Sequence, residues 1–498
     1  MAALLVLGVP LLILLAALAP ATVIAGAQPV ISDDTEACLD CHSMTTSGIY
    51  WDWKHSRHAQ SSLSAALTYP ELSRRVSIKA APAGMDSIAI GCAECHTLNA
   101  NEHGDTFEHN GYNIHVVVTP RDCSTCHPEE VVQYAGNIMS NAHSNLVDNS
   151  LYQMLQSSIN GVQHFIGDTI TTDPQDELTD AESCLYCHGT VVSAVEMEER
   201  DTAFGEMSFP VLQGWPNQGV GRVNPDGSLG ACTACHTRHQ FSIEMARKPA
   251  TCAECHKGPD VPASKVYEVS KHGNLYYSMQ DKWSFDSVPW IPGRDFIAPT
   301  CATCHVSLLA TEDGDVVAER THRMNDRLAW RLLGVPYAHP HPISANTSII
   351  QNKAGLPLPT ELTGEPVDAF LIRAEDMRER AARMKGICAP CHAAGWTDSH
   401  FARLDKAIET TNAMTLSATE ILLAAWSGGY AKGPAQSGNP FDEAIEKMWT
   451  EQWLFYANSI RFASAMGGAD YGTFANGRWA LSKNLREMHD WLMLRSGE

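Results

Sequence analysis

The chain has 498 residues, 44% of them apolar and 18% charged, with 57 acidic residues against 35 basic ones and a formal charge of −22. That balance excludes a disordered chain and a polytopic membrane protein. The acidic excess also argues against a nucleic-acid partner, because nothing offsets phosphate repulsion, and it suits a basic soluble one.

In chain order, the first feature is a targeting segment. Leu4 to Ala19 is nearly unbroken Leu, Val, Ile and Ala, and Ala25-Gly26-Ala27 is a small-residue site with cleavage expected before Gln28. Residues 1–27 are therefore expected to be a signal peptide, and the mature chain an exported, periplasmic or equivalent extracytoplasmic protein, soluble or held by this one segment.

All 16 cysteines then fall in eight C-x-x-C-H units: Cys38/Cys41/His42, Cys92/Cys95/His96, Cys123/Cys126/His127, Cys184/Cys187/His188, Cys232/Cys235/His236, Cys252/Cys255/His256, Cys301/Cys304/His305 and Cys388/Cys391/His392. Export would normally point to disulfides, but this spacing is the c-type haem attachment signature. Two thiols three apart add to the two vinyl groups, and the adjacent histidine supplies the proximal iron ligand. Structural zinc has no need of a histidine after every second cysteine. The expected cofactors are eight covalently bound c-type haems and no disulfide.

So little chain per haem makes the porphyrins the apolar core. The expected fold is mainly α, a multihaem cytochrome c wrap around eight haems. Of 22 histidines, 14 lie outside the units. Eight distal ligands would close every iron and seven would leave one open, so counting leaves both cases standing. The expected distal ligands are His58, His115, His143, His239, His272, His322 and His400, with His109 competing with His115, and His339 or His341 with His322. The stretches between units are rich in Gly, Pro, Asn and Asp, and Val116–Val118 is the main β-type run.

Residues 28–400 form the expected octahaem-binding domain, and 401–498 a haem-free helical region suited to oligomerisation. There Leu481, Leu485, Met488 and Leu492 recur at helical spacing, as do Ile445, Met448, Trp449 and Trp453. Core packing is the favoured reading of both stripes.

Eight units in this order, followed by long C-terminal helices, resemble the octahaem hydroxylamine oxidoreductases. Local runs carry the likeness: His109-Asn-Gly with Ile114-His115-Val-Val-Val-Thr-Pro, Trp215-Pro-Asn-Gln-Gly-Val-Gly-Arg, Cys232-Thr-Ala-Cys-His-Thr-Arg-His239, Gly258-Pro-Asp260, Ser270-Lys-His272-Gly, and Thr321-His322 before Asp326-Arg-Leu. The second half is also similar to pentahaem cytochrome c nitrite reductases.

The resemblance implies a homotrimer, or a complex with a homologue, that oxidises hydroxylamine (or hydrazine) at an open fourth haem, Cys184/Cys187/His188; the alternatives are a catalytically idle electron-transfer subunit of a heteromeric octahaem complex, or a reductive relative acting on nitrite or hydroxylamine. Electrons would pass through the other haems to a soluble cytochrome. It implies that Tyr471, in Gly467-Gly-Ala-Asp-Tyr471-Gly, cross-links to that haem in a neighbouring subunit, and that Tyr337 is a pocket tyrosine. Ring distortion by such a link would tune the iron's chemistry. Asp260 matches the family's proton-handling aspartate. The histidine that follows it in the family is Val261 here, and valine neither accepts nor relays a proton.

Overall fold

The computed structural model describes residues 29–497, so the expected signal peptide lies outside the described residues. The chain is mainly helical. Among the described residues the strands pair as five separate antiparallel hairpins: β1 (Thr106–His109) with β2 (Tyr112–His115), β3 (Val162–Ile166) with β4 (Thr169–Asp173), β5 (Ser193–Thr202) with β6 (Gly205–Gln213), β7 (Leu309–Ala310) with β8 (Val316–Ala318), and β9 (Trp330–Arg331) with β10 (His339–Pro340). No described helix is long and apolar enough to cross a membrane.

The C-x-x-C-H units are helical turns. The first lies on the helix Asp33–Thr45, which starts with Asp33, Asp34 and Glu36 over the positive end of its dipole and with Ser32 Oγ accepting the Thr35 amide at 3.1 Å. Others sit on short helices such as Ala93–His96, Cys184–His188 and Cys301–His305. In several units the histidine amide donates to the carbonyl of the first cysteine, at 2.9 Å for His96, His127 and His392 and 3.0 Å for His236 and His256. One closed turn therefore places both thiols and the imidazole on one face.

Between these turns runs an internal cavity of ≈ 2270 Å³, lined by cysteines and histidines of the second, third, fifth, sixth, seventh and eighth units. A void of that size among so many short elements would be ruinous in a close-packed protein; here it is the space that the prosthetic groups fill.

The first unit, like the fourth, lies outside this cavity. Neither Cys41, Cys38 nor His42 lines the central cavity. Cys41 is only partly buried, and its carbonyl accepts from Thr45 Oγ1 at 3.2 Å, a bond between exposed groups one turn apart. The physical reason is the helix that carries it. Asp33–Thr45 is acidic and polar, Thr35 is its one buried residue, and it packs through Thr35 and Ser32 on Glu94 beside the second unit. Cys41 therefore attaches its haem at the periphery, as an outpost of the wrap and not inside its core.

The conventional core lies at the C-terminal end. The 34-residue helix Ala394–Ser427 packs on Asn458–Met466 and Arg478–Ser496. Leu481 and Met488 are buried with Leu485 and Leu492 against them, and Ile445, Trp449 and Trp453 are buried beside Leu422 and Ala425. Both stripes are thus core. Leu151, Val335 and Leu358 belong to the same cluster. The boundary expected between residues 400 and 401 falls inside one continuous helix, and the structure draws no domain break there.

Two local expectations are corrected. Val116–Val118 is not a strand: the amides of Val116 and Val117 donate to Asp105 Oδ2, at 3.0 and 2.8 Å, in place of a ladder partner. The longest hairpin, β5–β6, has no counterpart among the expected elements. Its alternation Val195-Glu196-Met197-Glu198 is so rich in charge that it reads as loop, yet it closes a ladder of nine paired residues with one bulge at Ala194/Glu196.

Candidate haem centres and the site at the fourth unit

All 16 cysteines are unpaired as disulfides. Their neighbours give the order of the units in space. The Cys123 thiol lies against Cys232, Cys187 against Cys255, and Cys252 against Cys301. Cys38 acts on Cys92, Cys126 on Cys95, and Cys388 on Cys304. The units therefore run first, second, third, fifth and sixth, and from the sixth both the fourth and the seventh-to-eighth pair branch.

Two imidazoles on one iron, each about 2 Å from it, have ring centroids roughly 6.3 Å apart. Four pairs match: His42 with His109 at 6.1 Å, His127 with His58 at 6.3 Å, His236 with His322 at 6.5 Å and His392 with His272 at 6.1 Å. The structure thus brings His58, His272 and His322 to proximal histidines, and it sets His109 rather than His115 opposite the first. The peripheral Cys38/Cys41 unit is in this way given a complete ligand pair despite lying outside the central cavity. The fit extends to protonation, since burial pushes His58 and His322 down to about 4, keeping them as neutral ligands.

His115 is a correction. Its ring is 6.0 Å from that of His96, but its own backbone carbonyl accepts from His96 Nδ1 at 2.7 Å. The two ring nitrogens point to opposite sides, so His115 stands behind the proximal ring and cannot share its iron. It stacks on His103 instead, at 3.6 Å and 10°. His143, expected as a distal ligand, follows Ala142, whose carbonyl accepts from His188 Nδ1 at 3.0 Å, and it is brought to no proximal histidine in a ligand pairing. His239, at φ 65°, is the other imidazole acting on His96. His400 stacks on Trp396, and Ala465 O lies 3.1 Å from its Nε2. No described imidazole stands in a ligand pairing with His188, His256 or His305.

Around His188 the neighbours are of another kind. Burial lowers its pKa, the Ala142 carbonyl and the Asp260 carboxylate oppose that, and Arg331 adds to it. Asp260 also acts on His256. Gly258 leaves the carboxylate its place, since a side chain there would push Asp260 Oδ1 aside. Val261 lines the central cavity where the family's histidine is absent.

Sequence reasoning missed how this loop is held. Asn458 Nδ2 donates to the Asp260 carbonyl at 3.0 Å and its Oδ1 accepts from Arg461 Nη1 at 3.1 Å. Arg461, fully buried, also donates to Leu332 O at 3.2 Å and to Asn412 Oδ1 at 2.7 Å, and Asn412 pairs with the backbone of Ala338. One guanidinium thereby ties the Asp260 loop to the β9–β10 hairpin, where Arg331 and His339 are directly paired. A π turn at Gln452–Ala457 just before Asn458 gives the helix its local offset. No sequence signal short of the fold joins residues 260, 331, 339 and 461.

The two tyrosines differ. Tyr337 is buried at 1% exposure, and its hydroxyl contacts Leu362 O at 2.8 Å and Thr419 Oγ1 at 3.1 Å. Its polar end is spent on the helical core, so it is a packing residue here and the pocket role is corrected. Tyr471 is half-buried on the short helix Ala469–Thr473, which follows Gly468 packed on Val266 of the helix Ala263–Glu268.

With paired imidazoles at iron-bridging distance and thiols in the attachment spacing, the chain belongs to the multihaem c-type cytochromes and binds haem covalently. Residues 226–330 match the family model described as seven times multi-haem cytochrome CxxCH, 171–257 that of cytochrome c7 and related cytochrome c, and 37–116 that of cytochrome c554 and c-prime. The last of these takes in Cys38 and Cys41, so the peripheral unit falls within a recognised haem-binding segment. A solved structure described as a hypothetical multiheme protein is 40% identical, with a TM-score of 0.88 over 95% of this chain and 97% of that one.

A reducing HAO-like protein complex of Kuenenia stuttgartiensis, 16% identical, shares the fold at a TM-score of 0.60 over 93% of this chain and 85% of that one. The chain is also 25% identical over 344 residues to a probable nitrite reductase-hydroxylamine oxidoreductase fusion protein of the same organism. That match takes in 61% of this chain and spans 38% of the relative's length. The chain is thus a multihaem cytochrome c that shares its fold with that HAO-like complex.

Proposed function

We propose that this is an exported octahaem oxidoreductase that exchanges electrons with a small inorganic nitrogen compound at the fourth haem, hydroxylamine (or hydrazine) being the reductant that the family resemblance implies. The observation that carries the reading is the surroundings of His188: of the proximal histidines left without a paired imidazole, it is the one on which both Asp260 and Arg331 act. When bound, the haem supplies an iron with a vacant position and a conduit for electrons. The chain's own share is to fix the Asp260 loop through Asn458 and Arg461, and to offer the Asp260 carboxylate, which acts on His188, for proton transfer. A basic soluble cytochrome suits the acidic chain as redox partner, and half-buried Tyr471 suits an interface with a second copy or a homologue.

Ligand titration tests this. Carbon monoxide added to the reduced protein should convert the spectrum of one haem in eight, and Asp260→Asn should slow hydroxylamine turnover ~10²–10⁴-fold with haem content intact. Eight inert low-spin haems would instead favour an electron-transfer subunit in a complex with a homologue, the reading that fits a fold shared with a two-component assembly. A Tyr471 cross-link would appear as haem that survives on a peptide lacking Cys184 and Cys187.

A further inference from the structure

The spatial order of the units leaves one branch without a task. From the fourth unit the path to the first runs through the sixth, fifth, third and second, and the seventh and eighth lie off it. The eighth ends that branch, and it stands at the surface. Of the 16 attachment cysteines Cys391 alone is exposed, while Cys391, His392 and Trp396 also line the central cavity. His392 has its second imidazole in His272, at 6.1 Å, so this unit can carry electrons but offers no position to a substrate.

The surface around it differs from the acidic face of the first unit. Ala389, Pro390, Ala393, Ala394 and Gly395 are all exposed and all small, so nothing projects to hold another protein away. Trp396 stands among them, 45% exposed, with its indole flat on the His392 ring at 4.1 Å and 14°. One side chain thus touches both solvent and an iron ligand. Of Asp, Glu, Lys and Arg, residues 386–402 hold only Asp398, and Lys385 pairs with it at 2.7 Å. The first-unit end is the opposite: residues 29–53 carry Asp33, Asp34, Glu36, Asp40 and Asp52 and no lysine or arginine until Lys54.

Acidic groups steer a basic partner from a distance, whereas a neutral apolar patch acts only in contact. An exposed tryptophan amid uncharged neighbours has the composition of an interface centre. The patch is small, roughly eight residues against about 20–30 a side in a stable complex, which is the scale of a brief electron-transfer encounter. We propose that the eighth unit is a second electron outlet, docking a soluble metalloprotein whose own contact face is apolar and uncharged. One electron passes from the ferrous haem of this unit to the partner's oxidised metal; the iron becomes ferric, no bond forms and no proton moves. The outlet goes beyond the proposed function and holds whatever the fourth haem binds.

The test uses the whole, haem-loaded protein, reduced with dithionite, freed of excess reductant and mixed in a stopped-flow instrument with an oxidised blue-copper protein whose copper lies beneath an uncharged apolar face. The rate of electron uptake should change less than about twofold between low and high salt. A basic cytochrome c, the comparison oxidant, should slow steeply with salt. Ala394→Glu places a carboxylate in the patch. Ala394 is the first residue of the helix Ala394–Ser427, where the dipole favours an acid, so the fold is kept. The variant should slow the blue-copper reaction about tenfold, by forcing a charge into a desolvated contact, and leave the basic cytochrome within about twofold. An unchanged blue-copper rate in Ala394→Glu overturns the proposal. So does a blue-copper rate that falls with salt as the basic cytochrome's does, since both oxidants would then share the acidic end. Sedimentation velocity tests the other occupant: if native copies associate and Ala394→Glu separates them, the face is a contact between copies and the outlet is overturned. Should Ala394→Glu fail to load haem, Ala389→Glu carries the same comparison.

Discussion

The carbonyl of His115 lies 2.7 Å from Nδ1 of His96, so two residues whose rings are 6.0 Å apart are a ligand and its rear support, not two ligands of one iron. Distance alone would have paired them; direction separates them. The same bond from His188 to Ala142, at 3.0 Å, holds the proximal ring of the fourth unit from behind and leaves its iron side to other groups.

The ligand pairs make a direct prediction. Replacing His109, His58, His322 or His272 by methionine should each remove one bis-imidazole low-spin signal from the electron paramagnetic resonance spectrum. His115→Met should leave the bis-imidazole count unchanged. Loss of such a signal in His115→Met would show that the ring turns to an iron once haem is in place.

Beside His115 lies a buried charge cluster. His103 Nδ1 is 3.4 Å from Asp105 Oδ1 and Nε2 is 3.2 Å from Asp122 Oδ2, all with side chains at 2% exposure or less. His103, His115 and Asp122 are close enough to suggest a cation. Stacked rings, however, aim their lone pairs parallel, and one ion cannot meet both. Chelation should remove no stoichiometric metal other than iron. His103→Ala, which leaves two buried carboxylates facing each other, should cost about 3–5 kcal/mol and lower the thermal midpoint by several degrees.

Arg461 is fully buried without a carboxylate partner, and burial pulls its pKa down to about 9. Four polar groups from three segments depend on it. Arg461→Met retains volume but strands those groups, so a loss of about 3–5 kcal/mol is expected in chemical denaturation. Carbon monoxide affinity at the fourth haem should fall with it, because the Asp260 loop and β9–β10 lose their common tie. Unchanged ligand affinity in a folded Arg461→Met protein would show that the loop is held by Asn458 alone.

Glu446 sits fully buried in the C-terminal bundle, and desolvation raises its pKa from 4.5 to about 7, against bonds from the Glu443 amide and Trp426 Nε1. The folded state holds this proton more tightly than the unfolded chain does. Its stabilising effect is therefore complete below the unfolded pKa of 4.5 and is lost as pH rises toward about 7. The loss is on the order of 3 kcal/mol. Thermal midpoints measured from pH 4 to pH 8 should show this slope in the native protein. In Glu446→Gln the slope should vanish even though glutamine satisfies fewer of the surrounding donors.

Much of this protein is written locally. A C-x-x-C-H unit is five residues long and closes its own turn, so the attachment chemistry, the family likeness and the mainly helical fold were all legible from the chain. The buried stripes at Leu481–Leu492 and Ile445–Trp453 were legible for the same reason, since helical periodicity is a property of one segment. What each iron faces is not local. His42 meets His109 and not His115 because the hairpin β1–β2 turns one residue in and backs the other against a carbonyl. Cys41 reads in sequence like every other attachment cysteine, yet it sits outside the central cavity because its helix packs at the edge of the wrap. Tyr337 lost its expected pocket role to Thr419, 82 residues away. The surroundings of the fourth haem are assembled from residues 260, 331, 339, 458 and 461, joined by hydrogen bonds between segments up to 198 residues apart. Sequence spacing determined where haem is attached. Only the tertiary structure decided which side chains stand over it, because a ligand or a charge acts by direction and distance in space, and neither is encoded in the interval between residues along the chain.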